Sequence, residues 1–309
     1  MSEIALDTLG KDDDIVAAFQ VEGRAVSGRI LRFGPTLDLI LCAHDYPEPV
    51  ARILGEAVMV AALVGDALKF EGRLIVQASG NGPLKFVVAE YTTGEGVRGF
   101  ASMDREGVDQ AIKNATQHVP LIATLLGKGS FAMTIDRGPN MDQYQGVVPL
   151  EGQSIAQSAE HYFAQSEQTP TRIHLAVGEI WDQDGQKSWR AGGALIQAFA
   201  SDETRGSVEG DWEHALALFE TLEDAELLDP DLSAGQLLYR LYNEDGVRLM
   251  EPTALERRCS CERERLARII SSFPEEDQAH MIKDGKVVMT CEYCNRDWDF
   301  TTDEIKKSE

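Results

Sequence analysis

Between Phe19 and about Ala200 the chain switches repeatedly between two hydrophobic periods. Period two marks Gly72–Ser79 (GRLIVQAS) and Leu84–Tyr91 (LKFVVAEY) as strands, and the intervening Gly80-Asn81-Gly82-Pro83 predicts a hairpin turn. Phe131–Ile135, Tyr144–Val148, Ile173–Ile180 and Ala194–Phe199 add strand candidates. Helical spacing relates Ile53, Leu54, Ala57, Val58 and Ala61, and again Ile155, Ala159, Tyr162 and Phe163 behind a capping Ser154. Leu125–Ser130 (LLGKGS) reads as a turn before a strand. Hairpin-joined strands with irregularly interspersed helices predict an α+β fold with a largely antiparallel sheet over residues 1–201.

The pattern changes after Ala200. Ser201–Asp231 holds eleven carboxylates and one arginine, yet Trp212, Ala215, Leu216, Phe219 and Leu222 keep a helical apolar stripe. Like charges on the polar face weaken such a helix, so the stripe must dock on another surface to form, with the C-terminal module as one candidate. A further helix, Leu237–Tyr242, leads through Gly246 and Pro252 toward a cysteine-rich end. We therefore expect an acidic, metastable helical linker at 202–255 and a small module at 256–309. There is no internal repeat and no low-complexity tract.

Charge narrows the possible partners. The 309 residues carry 52 acidic and 29 basic side chains, a net −23. That field repels phosphate backbones and anionic lipid, so neither nucleic acid nor a membrane surface is an expected partner. The acidic start, MSEIALDTLGKDDD, lacks the basic-then-apolar order of a secretory signal, which points to the cytoplasm. Val50–Leu68, the longest apolar stretch, contains Arg52, Glu56 and Asp66 and reads as a buried helix.

In a reducing compartment, five cysteines favour metal or redox chemistry over a disulfide framework. Cys259-Ser260-Cys261 and Cys291-Glu292-Tyr293-Cys294, 29 residues apart, supply four soft ligands in two pairs, which suits one tetrahedral Zn²⁺. The second pair falls between strand-like KVVMT and RDWDF, where a knuckle at CEYCN turns both sulfurs to one side. Arg257, Arg258, Arg263 and Arg265 flank the first pair and favour thiolate over thiol. A module of some fifty residues is close to the size at which an apolar core alone is marginal, so metal binding, of order 10–16 kcal/mol in such sites, must supply much of its folding. Oxidation of the thiolates to disulfides removes the ligands, so the same residues can sense oxidant and control a fold. Cys42, alone in an apolar run, reads as a buried inert thiol. The six histidines, His44, His118, His161, His174, His214 and His280, show no metal or triad spacing, and four cysteines leave no vacancy for His280. There is no nucleophile elbow, phosphate loop or dinucleotide fingerprint, and no enzyme activity is expected.

The chain closely resembles the thirty-three-kilodalton heat-shock chaperonin family, the redox-switched holdases of bacterial cytoplasm. The resemblance runs through His44–Ala57, Leu68–Leu84, Tyr144–Thr171, Arg190–Gln197, Leu237–Pro252 and the module CSCERER with CEYCNRDWDF; Trp298 stands where tyrosine is more usual. It implies an α+β core, a helical linker and a zinc-binding redox module. It further implies that the reduced, zinc-bound form is inactive. On oxidation, Cys259–Cys261 and Cys291–Cys294 bonds form, zinc is released, the linker unfolds, and the exposed surface holds unfolding proteins without ATP. Dimerisation on activation is implied as well. Trp212, Leu216 and Phe219 are the candidate client-binding residues of the linker. Two other classes fit the cysteines less well. A nucleic-acid-binding zinc ribbon is opposed by the charge, and a thiol–disulfide oxidoreductase built on Cys291 and Cys294 is opposed by the strand before that motif and the second pair upstream.

Overall fold

Strand Ile15–Val21 (β1) is apolar at every position but Gln20, a composition that suits a sheet covered on both faces, and it pairs with Val26–Phe33 (β2). The computed structural model describes residues 13–67, 71–116, 121–138, 141–150, 154–181, 184–199, 208–283 and 285–306. The expected boundary at residues 201–202, His118 and the Leu68 end of the long apolar stretch lie outside them. The chain divides into two compact units, Met1–Cys42 with Tyr46–Arg257, and Arg258–Glu309 with the short stretch Ala43–Asp45.

After β2 the first unit runs through helices Pro35–Leu41 (α1) and Glu48–Gly65 (α2), then strands Arg73–Gly80 (β3), Leu84–Thr92 (β4) and Gly96–Met103 (β5). Helices Arg105–Asn114 (α3) and Ile122–Leu126 (α4) precede strands Gly129–Asp136 (β6) and Tyr144–Pro149 (β7). Helix Ile155–Tyr162 (α5) continues as a π turn before the long hairpin Thr171–Trp181 (β8) and Lys187–Ala198 (β9). The expected strands and the two expected helices are all present, and Ser154 caps α5 by accepting from the Gln157 N–H at 3.1 Å.

Helices Val208–Phe219 (α6), Asp224–Leu228 (α7) and Ala234–Tyr242 (α8) follow, then two short strands, Val247–Leu249 (β10) and Thr253–Ala254 (β11). One antiparallel sheet has the order β5-β4-β3-β6-β7; the other has six strands, β10-β1-β2-β9-β8, with β11 also on β1. Helix α2, with thirteen of its eighteen residues buried, fills the space between inner faces of both sheets. It meets Leu74, Val76 and Val87 of one sheet and Leu31, Ile173 and Leu195 of the other. A helix apolar all round is the form such a double contact requires.

Because side chains alternate along a strand, the six-stranded sheet presents Ile15, Ala17, Phe19, Val26, Ala194 and Ile196 on its opposite face. That face is covered by α6–α8 through Ala215, Phe219, Leu222, Leu227, Leu237, Leu238 and Tyr242. The acidic stripe thus finds its partner in this sheet rather than in the cysteine module. Gly192 of β9 permits the approach, since a Cβ there would lie 2.2 Å from the Leu227 carbonyl oxygen.

Glu56 of α2 sits at the start of α5, where its carboxylate accepts the Ile155 N–H at 2.8 Å. Burial drives its pKa up to about 7 despite the N–H groups of Ile155 and Ala156, and Asp224 adds repulsion. A carboxyl whose folded pKa lies above its unfolded value stabilises the fold at low pH, and that stability is lost as pH rises from about 4.5 to about 7. Glu56→Gln should therefore gain stability over the parent as pH rises from roughly 5.5 to 8, by about 2 kcal/mol at the alkaline end. Urea denaturation across that range checks it; a difference independent of pH would show that Glu56 does not titrate there.

Candidate metal centre

The smaller unit is assembled from helices Arg263–Ser271 (α9), Glu275–Met281 (α10) and Thr302–Lys306 (α11) with a three-stranded antiparallel sheet. Its strands are Ile282–Lys283 (β12), Lys286–Thr290 (β13) and Asp297–Thr301 (β14). Its buried apolar cluster is small: Leu266, Ala267, Ile270, Val287, Phe300 and Ile305, with Cys261, Met289 and Trp298 at its margin. Six such side chains are too few to hold a domain of this size by burial alone.

The turn joining β13 to β14 carries the second cysteine pair. Asn295 adopts a left-handed conformation at φ 55° and its N–H donates to the Cys291 carbonyl at 2.8 Å, while the Cys291 N–H donates to the Arg296 carbonyl at 3.0 Å. This closes the knuckle expected at CEYCN, and asparagine tolerates the left-handed region better than most residues. The first pair lies in the extended stretch just before α9. Folding brings all four sulfurs within 4.8 Å of one another. The closest approaches run between the pairs, Cys259 Sγ to Cys291 Sγ at 3.4 Å and Cys261 Sγ to Cys294 Sγ at 3.5 Å.

Four thiolate donors about 2.3 Å from a tetrahedral ion stand roughly 3.8 Å apart, so the cluster has the spacing and the donor chemistry to hold one soft divalent metal. Each of the four is a half-buried thiol in the structure. Burial raises the pKa of Cys259 and of Cys294. Burial also opposes ionisation of Cys291, but the N–H groups of Cys294 and Tyr293 and the Cys259 thiol outweigh it, holding Cys291 below the ordinary thiol value.

Two of the arginines near the first pair make contacts within the fold. Arg263 lies 4.9 Å from the Phe300 ring centroid and pairs with Glu304 at 2.9 Å. Glu304 also accepts the Thr301 N–H at 2.9 Å as the third residue of α11, and these donors, the Thr301 backbone first, hold its carboxyl down at about 2. Arg265 donates to Ser260 Oγ at 3.3 Å. Cys42 departs from expectation. It is exposed, because α1 ends at Leu41 and the residues it sends inward are Leu37, Ile40 and Leu41. Its thiol is nevertheless held high, by partial burial and then by Asp38, so it remains poorly nucleophilic.

The linker residues lie in the first unit and do not join the cysteine cluster. Phe219 is fully buried and Trp212 and Leu216 are half-buried around it. The groups that hold them escaped the sequence reading, because they come from distant positions. Arg24 donates to Asp211 at 3.3 Å and to Asp245 at 2.5 Å, and Arg172 donates to Glu220 at 2.8 Å. The buried Arg32 donates to the carbonyls of Glu226 and Asp229, and burial, then Arg190, lowers its pKa to about 10. No helix among the described residues is long and apolar enough to cross a membrane.

Comparison with known proteins agrees with this arrangement. A sequence model of the Hsp33 protein family matches residues 14–301. A 33 kDa chaperonin from Caulobacter vibrioides is 52% identical over 297 residues, covering 96% of this chain and 97% of that protein. One from Photobacterium profundum is 36% identical, covering 95% and 94%. The crystal structure of the 33 kDa chaperonin from Thermotoga maritima superposes with a TM-score of 0.75 at 23% identity, covering 96% of this chain and 97% of that one. With a family match over nearly its whole length, half-identical full-length relatives and the same fold, this chain belongs to the Hsp33 family.

Proposed function

We propose that this protein is an ATP-independent holdase switched by the oxidation state of Cys259, Cys261, Cys291 and Cys294. Membership of a family whose relatives are named chaperonins supports the chaperone role. The observation that carries the switch is that four thiols lie within 4.8 Å in a unit with six buried apolar residues among those described. Zn²⁺ is the ion we assign to them; it supplies the cross-link that the core lacks.

Oxidation converts each cysteine pair to a disulfide, with one hydrogen peroxide taking two electrons and two protons from two thiols and leaving as two waters. The pairs are Cys259–Cys261 and Cys291–Cys294, as in the family. Sulfurs bound to each other are poor metal ligands, so the small unit loses its cross-link and unfolds. The signal reaches the linker along the chain. Leu255 N–H donates to the Asp14 carbonyl at 2.7 Å, Val97 N–H donates to the Glu256 carbonyl at 2.8 Å, and Cys259 follows only three residues later. Disorder at Cys259 frees the neighbouring short strands β11 and β10, and α6–α8 then detach from the sheet. Trp212, Leu216 and Phe219, together with the sheet face beneath them, become the apolar surface that captures unfolding cytoplasmic proteins. Dimerisation accompanies this exposure.

Peroxide treatment should release one zinc per chain as suppression of a client's thermal aggregation appears, and the amides of residues 208–249 should lose hydrogen-exchange protection at the same time. Equal protection in the reduced and oxidised proteins would rule out the linker step, and unchanged zinc would rule out the switch. Phe300→Ala removes the largest side chain of the small core at a cost of about 3–5 kcal/mol. It should lower the peroxide concentration that releases half the zinc, measured with a chromogenic zinc indicator. An unchanged midpoint would mean that core packing contributes nothing to metal retention.

A further inference from the structure

The sheet face beneath α6–α8 differs in charge from the rest of a chain of net −23. Its floor is apolar and partly small, with Phe19, Ile196, Ala194 and Ala176 beside Gly192. Its rim is cationic. Arg24 reaches Asp211 at 3.3 Å and Asp245 at 2.5 Å, Arg172 reaches Glu220 at 2.8 Å, and His174 Nε2 lies 2.7 Å from Asp224. Arg32, buried in the floor, donates to two main-chain carbonyls at the end of α7, those of Glu226 and Asp229. Carboxylates of the core also stand nearby: Glu160, 3.6 Å from Arg172, and Glu56, which faces Asp224, while Glu22 pairs with Arg248 at 3.3 Å in the opposite sense. The dominant pairing is core cation to linker carboxylate.

An apolar floor alone would bind any apolar segment. Charges around an interface decide which segment is preferred and how fast it arrives. We infer that, once uncovered, this face selects client segments that resemble the linker itself: an apolar stripe at helical spacing flanked by carboxylates, with main-chain carbonyls on Arg32. The linker is then a tethered stand-in for the client. Without this rim, a chain of net −23 would turn acidic segments away. The inference rests on the reading that oxidation uncovers this face.

The test uses full-length oxidised protein and a fluorescein-labelled peptide of residues 208–229, compared with the same peptide bearing lysine in place of its eight carboxylates. Anisotropy titrations at low and high salt read the affinities, and hydrogen exchange on the same sample reads whether residues 208–249 have been released. The acidic peptide should bind at least about tenfold more tightly at low salt, with the gap closing as salt screens the rim. Arg172→Glu, a change at a half-exposed side chain, should shrink or invert the preference among molecules whose linker amides have lost protection, the exchange data on the same sample separating this from any loosening of the linker itself. Equal binding of the two peptides by protein whose linker amides have lost protection would overturn the inference and leave the uncovering intact. Persistent protection with no binding of either peptide would overturn the uncovering and the inference together.

Discussion

A sheet with two apolar faces needs two covers, and the six-stranded sheet of this protein has covers of very different strength. On one side lies α2, an uninterrupted helix with thirteen of eighteen residues buried, shared with the second sheet. On the other lie three helices of twelve, five and nine residues, joined by turns, the first two rich in carboxylates. Helices this short do not persist in water without a surface to pack on. The same sheet thus has a firm cover on one side and a weaker one on the other. Its closing layer ends in strands of three and two residues, the weakest pairings in the sheet.

The acidic composition of that layer is intelligible once its partners are known. Repulsion among its carboxylates disfavours the isolated linker helices, while Arg24 and Arg172 of the core offset it only when the layer is seated. Each such pair at a half-exposed position contributes on the order of 0–1 kcal/mol, enough in sum to bias docking and too little to make it irreversible. Arg32 adds a stricter demand, since a buried guanidinium that loses its carbonyl acceptors must find others. The sheet face is therefore unstable both empty and exposed to water, which is the property a binding surface for unfolded chains requires.

Much of this was legible in the sequence, and what was not has physical reasons. The hairpin at Gly80–Pro83, the buried helix, the Ser154 cap and the knuckle at Cys291–Cys294 all depend on local patterns and appear where those patterns place them. Strand β1 escaped because burial on both faces erases the alternation that identifies a half-exposed strand, and β2 because Arg32 falls at a buried position and breaks the apolar pattern. Strands β10 and β11 are too short to carry any period. The linker stripe was readable as apolar, but its partner was not, because Phe19, Ile196 and Arg24 are separated from it by folding rather than by a motif. Cys42 was misplaced by one helical step, as the apolar run around it ends at Leu41.

The cysteine module solves a different problem with the same economy of contacts. Six buried apolar side chains cannot fold it, and its arginine clasp, Arg263 with Glu304 and Phe300, is half exposed and worth little alone. The four clustered cysteines could hold a metal that makes up the difference, and thiols are also the most oxidisable groups in the chain. A larger core would keep this unit folded whether or not its thiols were intact, and an oxidant would then change only a local bond. On the proposed switch, a small core makes the fold of the unit, and through Leu255 and Glu256 the anchorage of the linker, depend on four sulfurs. In the switch we propose, marginal packing at 258–306 is what would let a two-electron reaction at a cysteine pair alter the surface of a sheet more than fifty residues away in sequence.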